Sequence, residues 1–115
     1  MTNTKYLILR LIFMKQCCMV VDIARKLRMS SGATTIALNQ LEEEQLIVRV
    51  RSEEDRRIVW ITLSGKGRIL IQQIIETRNQ FQADMLETLT DDEREQLFTL
   101  MGKISKRLNE KNGSG

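Results

Sequence analysis

Histidine and proline are both absent from this chain of 115 residues, and cysteine occurs only as the adjacent pair Cys17 and Cys18. Without histidine, neither a Ser-His-Asp nor a Cys-His catalytic arrangement can be assembled within the chain. Two neighbouring cysteines supply neither the ligand set of a structural zinc site nor a disulfide framework. No glycine-rich phosphate loop is present, so an enzyme is the least supported class. The lack of proline suits a mostly helical chain. No apolar run reaches the ~20 residues that a membrane-spanning helix needs. A signal-peptide layout is also missing: Arg10 and Lys15 interrupt the apolar residues after the N-terminus, and no small-residue cleavage site follows. The expectation is a cytoplasmic protein with no metal and no cofactor.

What remains is an ordinary soluble composition, 42% apolar and 29% charged, with a net charge of +3. That is enough chain for one modest domain. The mild basicity fits nucleic-acid binding without requiring it, and its distribution is more informative. Arg25, Lys26 and Arg28 precede the stretch Met29–Ile47, and Arg49, Arg51, Arg56 and Arg57 follow it. Acidic residues gather later, at Asp91 to Glu95.

The stretch between those basic clusters reads as a helix. Ser30 is a suitable N-cap, because its hydroxyl can accept from an unpaired first-turn amide. Helical spacing puts Thr34, Ala37, Leu38 and Leu41 on one face. Gly32, Thr35, Ile36, Asn39, Gln40 and Glu43 fall on the other. Short hydroxyl and amide side chains allow a helix backbone close to base edges, and Asn or Gln can pair bidentately with adenine. The same polar face would serve equally as an ordinary solvated surface.

Residues 3–15 are apolar at Leu7, Leu9, Leu11, Ile12 and Phe13, which predicts a helix buried over much of its surface. A turn is expected at Gln16 to Met19. Val20 to Leu27 follows as a short helix with Val21, Ile23, Ala24 and Leu27 inward. Two such helices joined across Met29 form a helix-turn-helix. Ile47 to Arg51 alternates, and Ile58 to Leu63 is rich in β-branched residues, so the polar run between them predicts a hairpin with a charged tip. Ser64 caps a long helix expected to end near Leu86, striped with Leu70, Ile74, Phe81 and Met85. Thr90 to Glu93 is a capping box for a last helix carrying Leu97, Leu100, Met101, Ile104 and Leu108. The two last helices hold more apolar surface than a small winged helix needs to cover, which points to a dimer interface.

This order of elements resembles the MarR family of bacterial transcriptional regulators. The resemblance runs over roughly Leu7 to Leu108. It rests on Val21-Asp-Ile-Ala-Arg-Lys-Leu27, on Leu41-Glu42 followed by Leu46-Ile-Val-Arg49, on the wing tip Asp55-Arg-Arg57, and on Ile61-Thr-Leu-Ser-Gly-Lys-Gly67. The fold it implies is mainly α with a small β-hairpin wing, a winged helix-turn-helix with C-terminal dimerisation helices. One domain is expected over 1–111, with a DNA-binding lobe at about 18–63, dimerisation helices at about 3–15 and 65–109, and a flexible tail at 112–115. The function implied is that of a homodimeric, sequence-specific regulator of transcription, a repressor that covers a pseudopalindromic operator in double-stranded DNA and is released by a small molecule or oxidant.

Carried over by position, Ser30, Ser31, Gly32, Thr35, Ile36, Asn39 and Gln40 would face DNA. Arg49, Arg56 and Arg57 would contact it from the wing, with Asp55 bracing Arg57. The chain departs from the family pattern in four places. The family's preceding helix has little counterpart before Thr4. Ile36 occupies a position that is usually polar or basic, Gln45 stands where glycine is common, and Glu42, Glu43 and Glu44 add negative charge at the helix end.

Some members of the family respond to oxidants, which makes Cys17 and Cys18 candidate thiol sensors. Against this, neighbouring cysteines strain to pair with each other, and packing of a turn by small apolar side chains is the favoured account, since burial is the common fate of free cysteine. The family also implies a small aromatic ligand, for which Tyr6, Phe13, Trp60, Phe81 and the six methionines are candidate contacts, although core packing is the stronger default for the same residues. The rival from another class is a winged-helix interaction module with weak or no DNA affinity that pairs with or titrates a full-length regulator.

Overall fold

The computed structural model describes residues 1–113. Its elements are α1 (Asn3–Lys15), β1 (Cys17–Cys18), α2 (Val20–Leu27), α3 (Ser31–Glu43), β2 (Ile47–Arg51), β3 (Val59–Leu63), α4 (Gly65–Glu87) and α5 (Asp91–Gly113). The three strands form an antiparallel sheet in the order β1-β3-β2. This is the expected mainly α winged helix. The chain divides into two compact units, Met1–Ile75 and Glu76–Gly115, with the boundary inside α4 rather than at a linker.

In the first unit the core is built from Ile8, Leu9 and Ile12 of α1, Ile23 of α2, Leu38 and Leu41 of α3, Ile61 of β3 and Ile71 of α4, all fully buried. Each such side chain contributes about 1.5–3 kcal/mol relative to exposure. Helix α1 thus belongs to the core of the unit that carries α2 and α3. Its buried side is Tyr6, Ile8, Leu9 and Ile12, whereas Leu7, Leu11 and Phe13 are only partly covered. Val21 is corrected from an inward position: it is 52% exposed, and Ile23 alone of α2 is fully enclosed.

Residues 16–19 are more ordered than the expected turn. Cys17 and Cys18 pair with Thr62 and Ile61 and so add a third strand to the hairpin. A two-residue strand has no periodicity to announce it. Asp22 Oδ2 accepts from the Met19 amide at 3.2 Å and closes the start of α2. Arg28, with φ 55, ends α2 in the left-handed region, and the Met29 amide donates back to Ala24 O at 2.9 Å. The tight turn of the helix pair is made there without glycine.

The second turn of this kind follows α3. Gln45 has φ 62, a conformation that costs L-residues energy and that glycine adopts freely. It lets the Leu46 amide donate to Leu41 O at 3.0 Å and starts β2. Close approach also fixes Gly67: a Cβ there would lie 2.0 Å from Leu46 O. Ser64 caps α4 as expected, its Oγ accepting from the Gly67 amide at 2.9 Å.

In the second unit the capping box at the start of α5 is complete. The Thr90 amide donates to Glu93 Oε1 at 2.9 Å, and the Glu93 amide donates to Thr90 Oγ1 at 3.2 Å. These bonds hold the Glu93 carboxyl below its ordinary range. Arg94 Nε donates to Leu86 O at 2.7 Å across the turn. Helix α5 continues through Gly113, so Asn112 and Gly113 are helical rather than tail. Ser114 and Gly115 lie outside the described residues.

Candidate nucleic-acid interface

Helix α3 presents two chemically different sides. Thr34, Ala37, Leu38 and Leu41 are buried, while Ser31, Gly32, Thr35, Ile36, Asn39 and Gln40 are exposed. Thr34 is polar yet fully buried, and its hydroxyl is satisfied by donating to Ser30 O at 2.8 Å. Ser30 Oγ accepts from the Ala33 amide at 3.1 Å, so its hydroxyl oxygen is engaged as the cap. Nothing lies within 4 Å of the position a Gly32 Cβ would take. The backbone of the first turn is therefore open to a close-approaching surface. Ile36 stands out from this face as a large aliphatic side chain that is 61% exposed.

The wing is a short hairpin closed by side chains. The Ser52 amide donates to Ile58 O at 2.9 Å, and Arg51 Nη1 donates to Arg56 O at 2.6 Å. At the tip, Asp55 Oδ1 accepts from the Arg57 amide at 3.0 Å and from Arg57 Nε at 3.1 Å, and Asp55 Oδ2 accepts from Arg57 Nη2 at 3.1 Å. This is the expected brace. The bidentate geometry fixes the guanidinium plane while the Arg57 side chain stays 91% exposed. The Arg57 side chain, and after it the Arg57 backbone amide, hold the Asp55 carboxyl below the ordinary carboxylate range. The wing's ordering through this pair is present above the unfolded carboxylate value and is lost as pH falls through the lowered one.

Arg49 is placed differently from the sequence expectation of a free DNA contact. Its Nη2 donates to Asn39 Oδ1 at 2.7 Å, and its Nε pairs with Glu42 Oε2 at 3.3 Å. One guanidinium therefore ties β2 to two residues a helical turn apart on α3. The same contact answers part of the charge problem at the helix end. Glu42 is neutralised by Arg49, and Glu44 by Lys5 of α1. Lys66 Nζ donates to Glu44 O at 3.2 Å. Only Glu43 of the three makes no ion pair among the described residues. Nothing in the sequence announced the Asn39–Arg49 contact, because the partners are ten positions apart in different elements.

The two cysteines differ. Cys17 is exposed and Cys18 is buried. Burial, and after it the Asp22 carboxylate, pushes the Cys18 thiol up, so it stays protonated and a poor nucleophile at neutral pH. Both line an open cavity of about 610 Å³ with Lys15, Asp22, Arg25 and Arg28. The aromatic residues named as ligand contacts do not line it. Tyr6 belongs to the core, Phe13 lies under the Arg68 guanidinium at 5.8 Å, Trp60 sits opposite Val50 in the sheet, and Phe81 is in the second unit.

Among the described residues no group of acidic, histidine or cysteine side chains could hold a metal ion, and no helix is long and apolar enough to cross a membrane. Comparison with known proteins gives a consistent picture. A family model described as "MarR family" matches residues 1–59. The HTH-type transcriptional regulator YwhA of Bacillus subtilis is 41% identical over 104 residues, covering 90% of this chain and 75% of YwhA. The HTH-type transcriptional repressor MdtR of the same organism is 28% identical over 102 residues, covering 84% of this chain and 66% of MdtR. Across such relatives the chain spans between 49% and 76% of their length. Among solved structures, FabT of Streptococcus pneumoniae in complex with DNA matches with a TM-score of 0.88 at 22% identity, covering 96% of this chain and 77% of that one. At that identity the likeness speaks for the fold.

Proposed function

Since this chain belongs to the MarR family of transcriptional regulators, we propose that it is a homodimeric, sequence-specific DNA-binding repressor of the cytoplasm. Two copies related by a two-fold axis would place two α3 helices in successive major grooves of a pseudopalindromic operator, about one helical turn apart. The wing of each copy would lie at the flanking minor groove. There Arg57 meets the enhanced negative potential of a narrow groove, and Arg56 beside it supplies phosphate contact. Ser31, Gly32, Thr35, Ile36, Asn39 and Gln40 form the base-facing surface. Ser30 contributes as the cap that sets the helix start, and Arg49 as the link between wing and helix.

The observation that carries this reading is the Asp55–Arg57 clamp. A guanidinium held in a fixed plane yet 91% exposed has no role within the fold that requires such rigidity. It is pre-organised for an anionic surface. Repression would be steric, through cover of the promoter. Release by a small molecule or oxidant would act by shifting the spacing of the two α3 helices, with the cavity beside Cys17 as the place where a ligand or oxidant meets the lobe.

Sedimentation of the chain with random duplex DNA, at low and at moderate salt, tests the proposal. A dimer that binds at low salt and leaves as salt rises is expected. Arg57→Ala should weaken binding to all duplexes and flatten the salt dependence by about one counterion per copy. A chain indifferent to DNA at both salts would overturn the proposal in favour of the interaction module.

A further inference from the structure

Two features of the exposed α3 face go beyond a general capacity to read bases. The first is the orientation of the Asn39 amide. Arginine has five donors and no acceptor, so the group that Arg49 Nη2 meets at 2.7 Å is necessarily the Asn39 oxygen. The Nδ2 amino group is left without a partner among the described residues. The free group that Asn39 offers a groove is therefore the amino donor, while its oxygen is already engaged by Arg49. The bidentate pairing of asparagine with adenine needs the oxygen as well, and there Arg49 already competes for it and fixes its direction. The second feature is Ile36, 61% exposed one helical turn before Asn39. An apolar side chain in a face of hydroxyls and amides gains nothing from water and is free to cover an apolar group of whatever surface the face meets.

Base edges in the major groove differ in what they can give to such a pair. Cytosine presents an amino donor, which opposes Asn39. Guanine presents acceptors and no methyl group. Thymine presents the O4 acceptor and the C5 methyl on one edge. We propose that Ile36 and Asn39 together read thymine in each half-site, Asn39 Nδ2 donating to O4 and Ile36 packing on the methyl group, with Arg49 as the positioning residue that holds the amide donor outward. This rests on the DNA-binding reading above and deepens it.

The test begins by selecting the preferred duplex from a random pool with the full chain, then replacing its thymines singly. At one thymine or thymine pair per half-site, uracil should cost about fourfold in affinity, the worth of one buried methyl group. At the same position, 5-methylcytosine paired with guanine keeps the methyl but replaces O4 with an amino donor, and should cost about tenfold or more. Ile36→Ala should abolish the discrimination between thymine and uracil there and leave the 5-methylcytosine penalty in place. Asn39→Asp keeps a partner for Arg49 and removes the donor. It should lose about tenfold on the selected duplex relative to random duplex, whereas a residue that only braced Arg49 would tolerate it. Both residues are exposed, and matching thermal melts would establish that the variants fold.

Equal affinity for uracil at every position, or an unchanged selected-to-random ratio in Asn39→Asp, would overturn the thymine reading while leaving DNA binding intact. Failure of the unaltered chain to bind any duplex at low salt would instead remove the regulator proposal, and this inference with it.

Discussion

The two units of the chain spend their apolar residues in opposite ways. In Met1–Ile75 most large aliphatic side chains are enclosed, with Val21, Ile36 and Ile69 among the exceptions, and every fully buried core member lies between Tyr6 and Ile71. In Glu76–Gly115 the comparable residues are open: Phe81, Met85, Phe98, Leu100, Met101, Ile104 and Leu108 are each more than half exposed in the single chain. Both units are regular, and both have well-formed caps. The difference lies in what the helices have to pack against. In the first unit three helices and a sheet meet around Ile61 and Leu38, whereas in the second the apolar stripes of α4 and α5 are only partly covered within the unit, at Leu86, Leu89 and Leu97. An open apolar surface of that extent is the signature of an interface. The first unit carries the candidate site on a self-sufficient core, and the open surface of the second is where the proposed dimer would form.

That contrast can be broken most severely at Gly67. An added Cβ would meet the Leu46 carbonyl oxygen at 2.0 Å, and a backbone atom cannot rotate away. Gly67→Ala should exceed the ~1–3 kcal/mol usual for overpacking, and circular dichroism at room temperature should show loss of the folded first unit. A cooperative melt near that of the parent would mean that α4 and the turn before β2 are not locked together. Leu38→Ala should come next, costing about 2–5 kcal/mol in urea titration, because the cavity opens in a fully buried position. A loss under 1 kcal/mol would place the core elsewhere.

The second unit should respond in kind rather than degree. Leu100→Asp with Ile104→Asp puts charge on a face already open in the single chain. The expected outcome is a monomer by sedimentation whose first unit still melts cooperatively, and a dimer that persists would contradict the division of labour. The smallest effect is a gain. Gln45 sits at φ 62, where glycine carries no Cβ penalty, so Gln45→Gly should stabilise the chain by roughly 0.5–1 kcal/mol. A loss of stability would show that the Gln45 side chain holds a contact worth more than its strain.

Much of this was open to reading in the residues. The helical period of Thr34, Ala37, Leu38 and Leu41 separated the buried from the exposed side of α3, because a single face of a helix must be apolar to pack. Ser30, Ser64 and Thr90 marked three helix starts through one chemistry, a hydroxyl facing unpaired amides. The pairing of Asp55 with Arg57 at the hairpin tip was expected from the family resemblance, and their separation of two residues lets the structure realise it locally.

Other features depend on which distant segments meet. The strand at Cys17 and Cys18 exists only because β3 offers an unpaired edge. The inward place expected for Val21 failed because α2 is short and its burial is set by where α1 and α3 stand, not by its own period. The division at Ile75 and Glu76 leaves no trace in composition, since α4 runs through it unbroken. Arg49 illustrates the limit best. Within the basic cluster after a recognition helix it reads as a DNA contact, and only the packing of β2 beside α3 turns it toward Asn39 and Glu42.

The sequence by itself determined the helices, the wing, the caps and the two faces of α3, because each follows from periodicity or from groups within four residues of one another. The tertiary structure alone decided how the Asn39 amide is oriented, which glutamates keep their charge exposed, and which apolar stripes stay uncovered. Those depend on contacts between residues far apart in the chain, and no local pattern specifies where a distant donor or a packing face will arrive.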